Sequence, residues 1–332
     1  MVKLDKESEV FSMEIKKSKF KNGAKASFSF VFDDGCYKPS TEKVIEIFKD
    51  NYEKYGVKLI ATSAQTVNFL NNDLISFWKQ AFSDGWFDLA SHSMDHAFAY
   101  NAGIDIERRR KDAHDSKAAL EKIYDGMEVI SFVTPGGSNT TDGCEVLNEC
   151  YYGNRSNCEE PPYNDVDTVD LIYAHAFVPN FKYKDLAYYK EYIDTLLEKN
   201  VWGVQINHWI SEKEQDTFHA QSVSSFILQC DYLASLVKAG EIWVPSFNEA
   251  VKYIKEYQCS ELVINEISAT ESEIILKNDL DKSIFTYPLT LEVKADNGVS
   301  VTQNGITKEY ASKNGIAYIE AIPNIKATIA VK

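Results

Sequence analysis

From about residue 26 to residue 257 the chain repeats one unit, a short apolar run followed by a longer stretch with apolar side chains at helical spacing. Strand-like runs fall at 26–32, 57–62, 87–91, 129–133, 171–176, 202–207 and 242–244. Helix-like stretches fall at 41–55, 70–82, 104–124, 186–200, 222–239 and 247–257. Repeated strand–helix units imply a parallel sheet with helices outside it, open or closed into a (β/α) barrel. In 41–55 the expected buried stripe is Val44, Ile45, Phe48 and Tyr52. The run Glu107-Arg108-Arg109-Arg110-Lys111 reads as a solvated helical face rather than a basic patch.

After Gln258 the helical period disappears. Residues 261–332 carry short β-rich runs such as 283–294 and 315–321, separated by Asn-Gly and Asn-Asp turns, and read as a small β-sandwich-like domain. The predicted organisation is therefore an N-terminal extension (1–24), a barrel (25–258) and an all-β domain (261–332).

Polar residues gather where the predicted strands end. Phe30-Val31-Phe32 runs into Asp33-Asp34-Gly35, and two adjacent carboxylates become tolerable beside a cation. The run 87–91 delivers Ser91-His92-Ser93-Met94-Asp95-His96, whose imidazoles at i and i+4 would share one face of a helical turn. One carboxylate and two histidines suffice to hold a divalent metal with open positions. The run 129–133 leads into Thr134-Pro135-Gly136-Gly137, and 202–207 ends at His208. Taken singly, Asp33-Asp34 also suits a turn or helix N-cap, and His208 a histidine packed beside Trp209. His114, His175 and His219 carry no motif.

The formal charge of −15 over 332 residues argues against nucleic acid and against a strongly anionic polymer as ligand. No run approaches the length of a bilayer span, and the stretch after Met1 lacks the apolar core of a signal peptide. Nothing points to an obligate protein partner. The six cysteines form no Cys-x-x-Cys pair; Cys144, Cys150 and Cys158 are equally readable as free thiols or as containing a disulfide.

Val-Phe-Asp-Asp-Gly followed by Ser-His-Ser-Met-Asp-His resembles the first two motifs of the polysaccharide deacetylases, the NodB-homology carbohydrate esterases of family four. Phe132 to Gly137 lies where that family has its third motif, and Ile206-Asn207-His208 is similar to its late leucine-x-histidine motif. The resemblance implies a distorted (β/α) barrel and removal of N- or O-linked acetyl groups from a carbohydrate. It implies one divalent ion, zinc with cobalt or nickel as substitutes, on Asp34, His92 and His96. Asp33 would be the general base and His208 the general acid, with a backbone N–H near Tyr37 facing the oxyanion. Ser93, Asp95, Pro135 and Trp209 would support the site or touch substrate. It further implies a secreted or cell-envelope enzyme, against which the leaderless N-terminus leaves a cytoplasmic one open. One departure stands out: the arginine of the third motif is replaced by Val133, and Arg155, from a neighbouring loop, is the candidate substitute. Two other readings remain: a carbohydrate-binding protein with a relic site, and a hydrolase of a small non-peptide amide.

Overall fold

Ala26–Phe32 is buried at every position, as a strand covered on both faces must be. In the computed structural model, which describes residues 13–97, 105–137, 141–157, 160–179, 185–211 and 220–332, this strand lies at the heart of a parallel sheet. The chain forms two compact units, Ala24–Ile254 and the described part of Met1–Gly23 with Lys255–Lys332. In chain order the elements are β1 (Ile15–Lys17), β2 (Ala26–Phe32), α1 (Lys38–Tyr55), β3 (Ala61–Gln65), α2 (Asn72–Ser83), β4 (Phe87–Ser91), α3 (Ile106–Ile123), β5 (Ser131–Val133), α4 (Thr141–Asn148), β6 (Gly153–Asn157), β7 (Ala174–His175), α5 (Leu186–Lys199), β8 (Trp202–Asn207), β9 (Trp209–Ser211), β10 (Ala220–Ser222), α6 (Val223–Ala239), β11 (Ile242–Trp243) and α7 (Phe247–Cys259).

In the larger unit the strands run β11-β2-β3-β4-β5-β6-β7, and β8 pairs with β2 from Ser27↔Trp202 to Phe32↔Asn207. Every one of these pairings is parallel. Just past β7, Phe177 donates its N–H to Val204 O and accepts from Ile206 N–H, which joins the far end of the sheet to β8. The ring of strands is thus nearly closed, a distorted (β/α) barrel. Aromatic rings pack around β2, with Phe30 against Phe226 of α6 (5.4 Å) and Phe32 against Phe87 of β4 (5.8 Å). Parallel strands all point their C-terminal ends the same way. Asp33 and Asp34 after β2, His92 after β4 and His208 after β8 therefore reach one face of the ring.

The smaller unit is antiparallel. One sheet has β1 against β14 (Leu289–Lys294), which pairs β18 (Ile316–Ala321), which pairs β17 (Ser312–Lys313). The other has the order β12 (Glu261–Ser268), β13 (Glu271–Lys277), β19 (Ala327–Val331), β15 (Val299–Gln303), β16 (Ile306–Tyr310). Among the described residues no helix is long and apolar enough to cross a membrane.

Several sequence expectations are corrected. Residues 15–17, assigned to an extension, form an edge strand whose Ile15 pairs Val293; three residues carry no readable alternation. In α1 the buried positions are Thr41, Val44, Ile47, Phe48 and Asn51, while Tyr52 is 53 % exposed. Asn51 fits inside because its side chain donates to Ile47 O. The run at 171–176 is a 3₁₀ turn (Leu171–Tyr173) followed by the two-residue β7. The stretch around Arg155, read as a loop, is β6: Gly-Asn-Arg-Ser-Asn has no apolar side chain to betray a strand. Cys36, Cys144, Cys150, Cys230 and Cys259 are free thiols, and Cys158 and His219 lie outside the described residues.

Candidate functional site

The residues after β4 do not form a helix. They turn through a loop in which Ser93 (φ 72°) and His96 (φ 64°) take left-handed backbone conformations, and Asp34 (φ 73°) does the same after β2. Such conformations are unfavourable for these residue types and persist where the surroundings enforce them. Here the enforcement is visible. Buried Ser93 accepts the His96 N–H on its Oγ (2.8 Å), and Asp112 of α3 accepts the Met94 N–H (3.0 Å). Thr66, after β3, donates its N–H to Asp34 O and its hydroxyl to His92 O. The two imidazoles thus meet through a strained loop, 4.9 Å between ring centroids, and not through helical spacing.

Asp34, His92 and His96 each present one ligand atom, all within 4.8 Å of one another. Asp34 Oδ1 lies 3.8 Å from His92 Nε2 and 3.6 Å from His96 Nε2. Ligands held at about 2.0–2.2 Å from a common tetrahedral ion stand about 3.4 Å apart, close to these separations. His92 is fully buried, and its Nδ1–H donates to Val133 O at 2.6 Å, which fixes the tautomer and leaves a lone pair on Nε2. That Nε2 has no hydrogen-bond partner among the described residues. Burial holds the His92 pKa down at about 3, so the ring is neutral, as a metal ligand must be. Burial, aided by the charge of Asp33, pushes Asp34 up to about 7. A carboxylate, a neutral imidazole with an orphaned nitrogen and a half-buried second imidazole fit a divalent ion well.

Asp33 is 4 % exposed. Burial alone would raise its pKa, but the Arg155 guanidinium beside it, aided by His208, holds it below the ordinary carboxylate value. Arg155, itself 1 % exposed, donates from Nη2 to Asp33 Oδ2 at 2.7 Å. In the sheet Arg155 pairs with Val133, so its side chain issues one strand over from the position where the third-motif arginine was sought. Asp33 Oδ1 is buried and has no hydrogen-bond partner among the described residues. The Asp33 N–H donates to Asn207 O (2.8 Å), which ties the β2 tip to the β8 tip that carries His208.

Tyr37 packs its ring 4.5 Å from that of Trp209, and its hydroxyl favours the ionised form of neighbouring Asp34 without overcoming burial. Asp95 accepts the Ala97 N–H; burial holds the His96 pKa below its ordinary value, partly offset by the charges of Asp33 and Asp95, and no helix starts at Asp95. Pro135 is buried in a turn at the end of β5. Sequence reasoning missed the Val133 carbonyl, Thr66 and Asp112. Thr66 and Asp112 belong to no motif and act through contacts distant in sequence, and Val133 acts through its backbone carbonyl, which a motif read from side chains does not reveal.

No protein-family model matches the chain. A gellan lyase from Bacillus sp. is 21 % identical over 92 % of this chain, which spans 12 % of that protein's length. Among solved structures, the Xyl-CE4 domain of a multidomain xylanase from the hindgut metagenome of Trinervitermes trinervoides is 16 % identical, with 68 % of this chain and 89 % of that chain covered, at a TM-score of 0.41. A CE4 esterase from Streptococcus mutans is 12 % identical (67 % and 86 % covered, TM-score 0.44). A CE4 family pseudoenzyme from Bacillus anthracis is 12 % identical (68 % and 65 % covered, TM-score 0.40). These are members of the family whose motifs the sequence resembles. Likeness of this extent decides nothing about chemistry, which the site's own geometry must carry.

Proposed function

We propose that this chain is a metal-dependent deacetylase that removes N- or O-linked acetyl groups from a carbohydrate. The observation that carries the reading is the buried, orphaned Nε2 of neutral His92 beside the Asp34 carboxylate and His96 Nε2. Asp34, His92 and His96 would hold one divalent ion, zinc by the tetrahedral N/O donor set, with cobalt or nickel as substitutes. When bound, such an ion lowers the pKa of a water and polarises an acyl carbonyl. Asp33, kept ionised by Arg155, offers its unpartnered Oδ1 as the proton acceptor. Arg155 fixes the other oxygen, so the base has one orientation. His208, which influences Asp33 electrostatically, is the proposed donor of a proton to the departing amine or alcohol. A backbone N–H near Tyr37 is the proposed oxyanion donor.

The reading of a relic carbohydrate-binding site rests on a missing arginine, and Arg155 at 2.7 Å from Asp33 removes that premise. The deciding assay is acetate release from acetylated xylan and acetylated chitooligosaccharides by zinc-loaded protein. Asp33→Asn is expected to reduce the rate by roughly 10²-fold or more. No release from any acetylated glycan, or release unaffected by Asp33→Asn, would overturn the proposal.

A further inference from the structure

In the smaller unit four described strands end the two sheets, and three of them are guarded against the addition of another strand. β1 and β17 are only three and two residues long, and they carry Lys16, Lys17 and Lys313. β16 sets Lys308 and Glu309 on its exposed length. Short edges and charged side chains are the usual protection of a sheet edge. β12 lacks both where it matters. It is eight residues long, Leu-Val-Ile-Asn occupies 262–265, and its two glutamates and its bulge, between Glu266 and Ser268, lie outside that stretch. β13 takes up one edge of β12, from Glu261↔Lys277 to Glu266↔Ser272, and no strand among the described residues takes up the other. Ile264 shares a sheet face with its pair Ile274, yet Ile274 is 1 % exposed and Ile264 37 %. An apolar face and a row of backbone groups without a strand partner therefore run past the covered part of the sheet together.

We propose that β12 is the pairing edge for a second copy of this chain, the two β12 strands lying antiparallel about a two-fold axis with Ile264 facing its own counterpart. A two-fold between antiparallel strands sets one residue opposite itself, and its neighbours follow. Val263 then meets Asn265, and Leu262 meets Glu266. No glutamate faces a glutamate, a juxtaposition that would oppose pairing. The long-range field agrees. Acidic and basic side chains balance in the described part of the smaller unit, and the formal charge of −15 lies almost wholly in the larger one. The edge is thus free of the net charge that would repel a copy of itself. Pairing satisfies the backbone groups of both edges and removes Ile264 from water twice over. A contact of this symmetry closes with two chains. It owes nothing to the chemistry proposed for the barrel.

Sedimentation equilibrium of the full chain, from low micromolar to submillimolar concentration, is expected to show monomer and dimer in exchange. Ile264→Lys and Ile264→Glu should each weaken the dimer about tenfold or more, because the axis sets like charges face to face. Mixing the two variants should restore it, since lysine then faces glutamate. Hydrogen exchange on the wild type gives a readout that no substitution can spoil by unfolding. Exchange at β12 amides should slow as concentration rises, while that at β16 amides should not. A wild type that stays monomeric throughout, or that dimerises with β12 exchange unchanged, overturns the proposal. Exchange at β12 that is slow at every concentration would show the edge covered within one chain, and association continuing past the dimer would set β12 against a different edge; either result overturns it. So does a mixture of the two folded variants that is no more dimeric than each alone.

Discussion

Arg155 is the residue on which the proposed base, Asp33, depends. Its guanidinium and the Asp33 carboxylate are both almost wholly buried, so removing one partner strands the other charge. Arg155→Ala is expected to destabilise the protein by about 3–5 kcal/mol in urea melts. It should also slow acetate release by roughly 10²-fold, since Asp33 loses both its orientation and its counter-charge. Arg155→Lys should recover part of both, because the contact to Asp33 is a single bond from Nη2 that another cation can replace in part. A second residue test concerns Asp112, whose carboxylate is pushed up to about 6 by burial, and whose Oδ2 has no partner among the described residues. The folded state binds this proton more tightly than the unfolded chain does. Its contribution is therefore most favourable below the ordinary carboxylate range and is lost as pH rises through about 6. Asp112→Asn keeps an acceptor for the Met94 N–H and removes the charge. Urea melts should show the variant more stable than wild type by about 1–2 kcal/mol at pH 8 and no more stable at pH 4. An equal difference at both pH values would show that the buried charge is not the cause.

Among the elements, β6 matters most to the site. Gly153 opens it, and a Cβ there would lie 2.5 Å from Val251 Cγ2 of α7. Gly153→Val is expected to destabilise by about 1–3 kcal/mol through overpacking. It should also lower activity, because Arg155 rides on the same strand two residues on; melting temperature and acetate release measured on the same sample check both. The legibility of the sequence divides along such lines. Strands with continuous apolar runs, β2, β4 and β8, are readable with their exact or near-exact bounds, and they deliver Asp33, Asp34, His92 and His208. The strand β6 is not, because its buried residues are polar and satisfied by bonds the sequence does not show: Asn154 accepts from Thr134 and donates to Ile172 O, and Arg155 donates to Asp33. The same blindness made Arg155 look like a loop residue. Helical spacing drew notice to His92 and His96, whose rings lie together for a different reason. The rings meet because two left-handed residues, Ser93 and His96, bend the chain, and backbone strain of that kind leaves no periodic trace.

At the scale of the whole molecule, the barrel unit gathers a carboxylate and two imidazoles from two strand ends and leaves Asp34 at a cost that a cation would offset. Ligand binding to the folded state alone raises stability by mass action. Removing the ion with a chelator is expected to lower the melting temperature by several degrees, and zinc should restore it. The most direct measurement is equilibrium dialysis against zinc with elemental analysis of the wild type and of Asp34→Asn, His92→Gln and His96→Gln. About one zinc per wild-type chain, with affinity falling at least tenfold in each variant, is the expected result. A folded wild-type protein that binds no zinc, cobalt or nickel, or one whose affinity is untouched by all three substitutions, would contradict it.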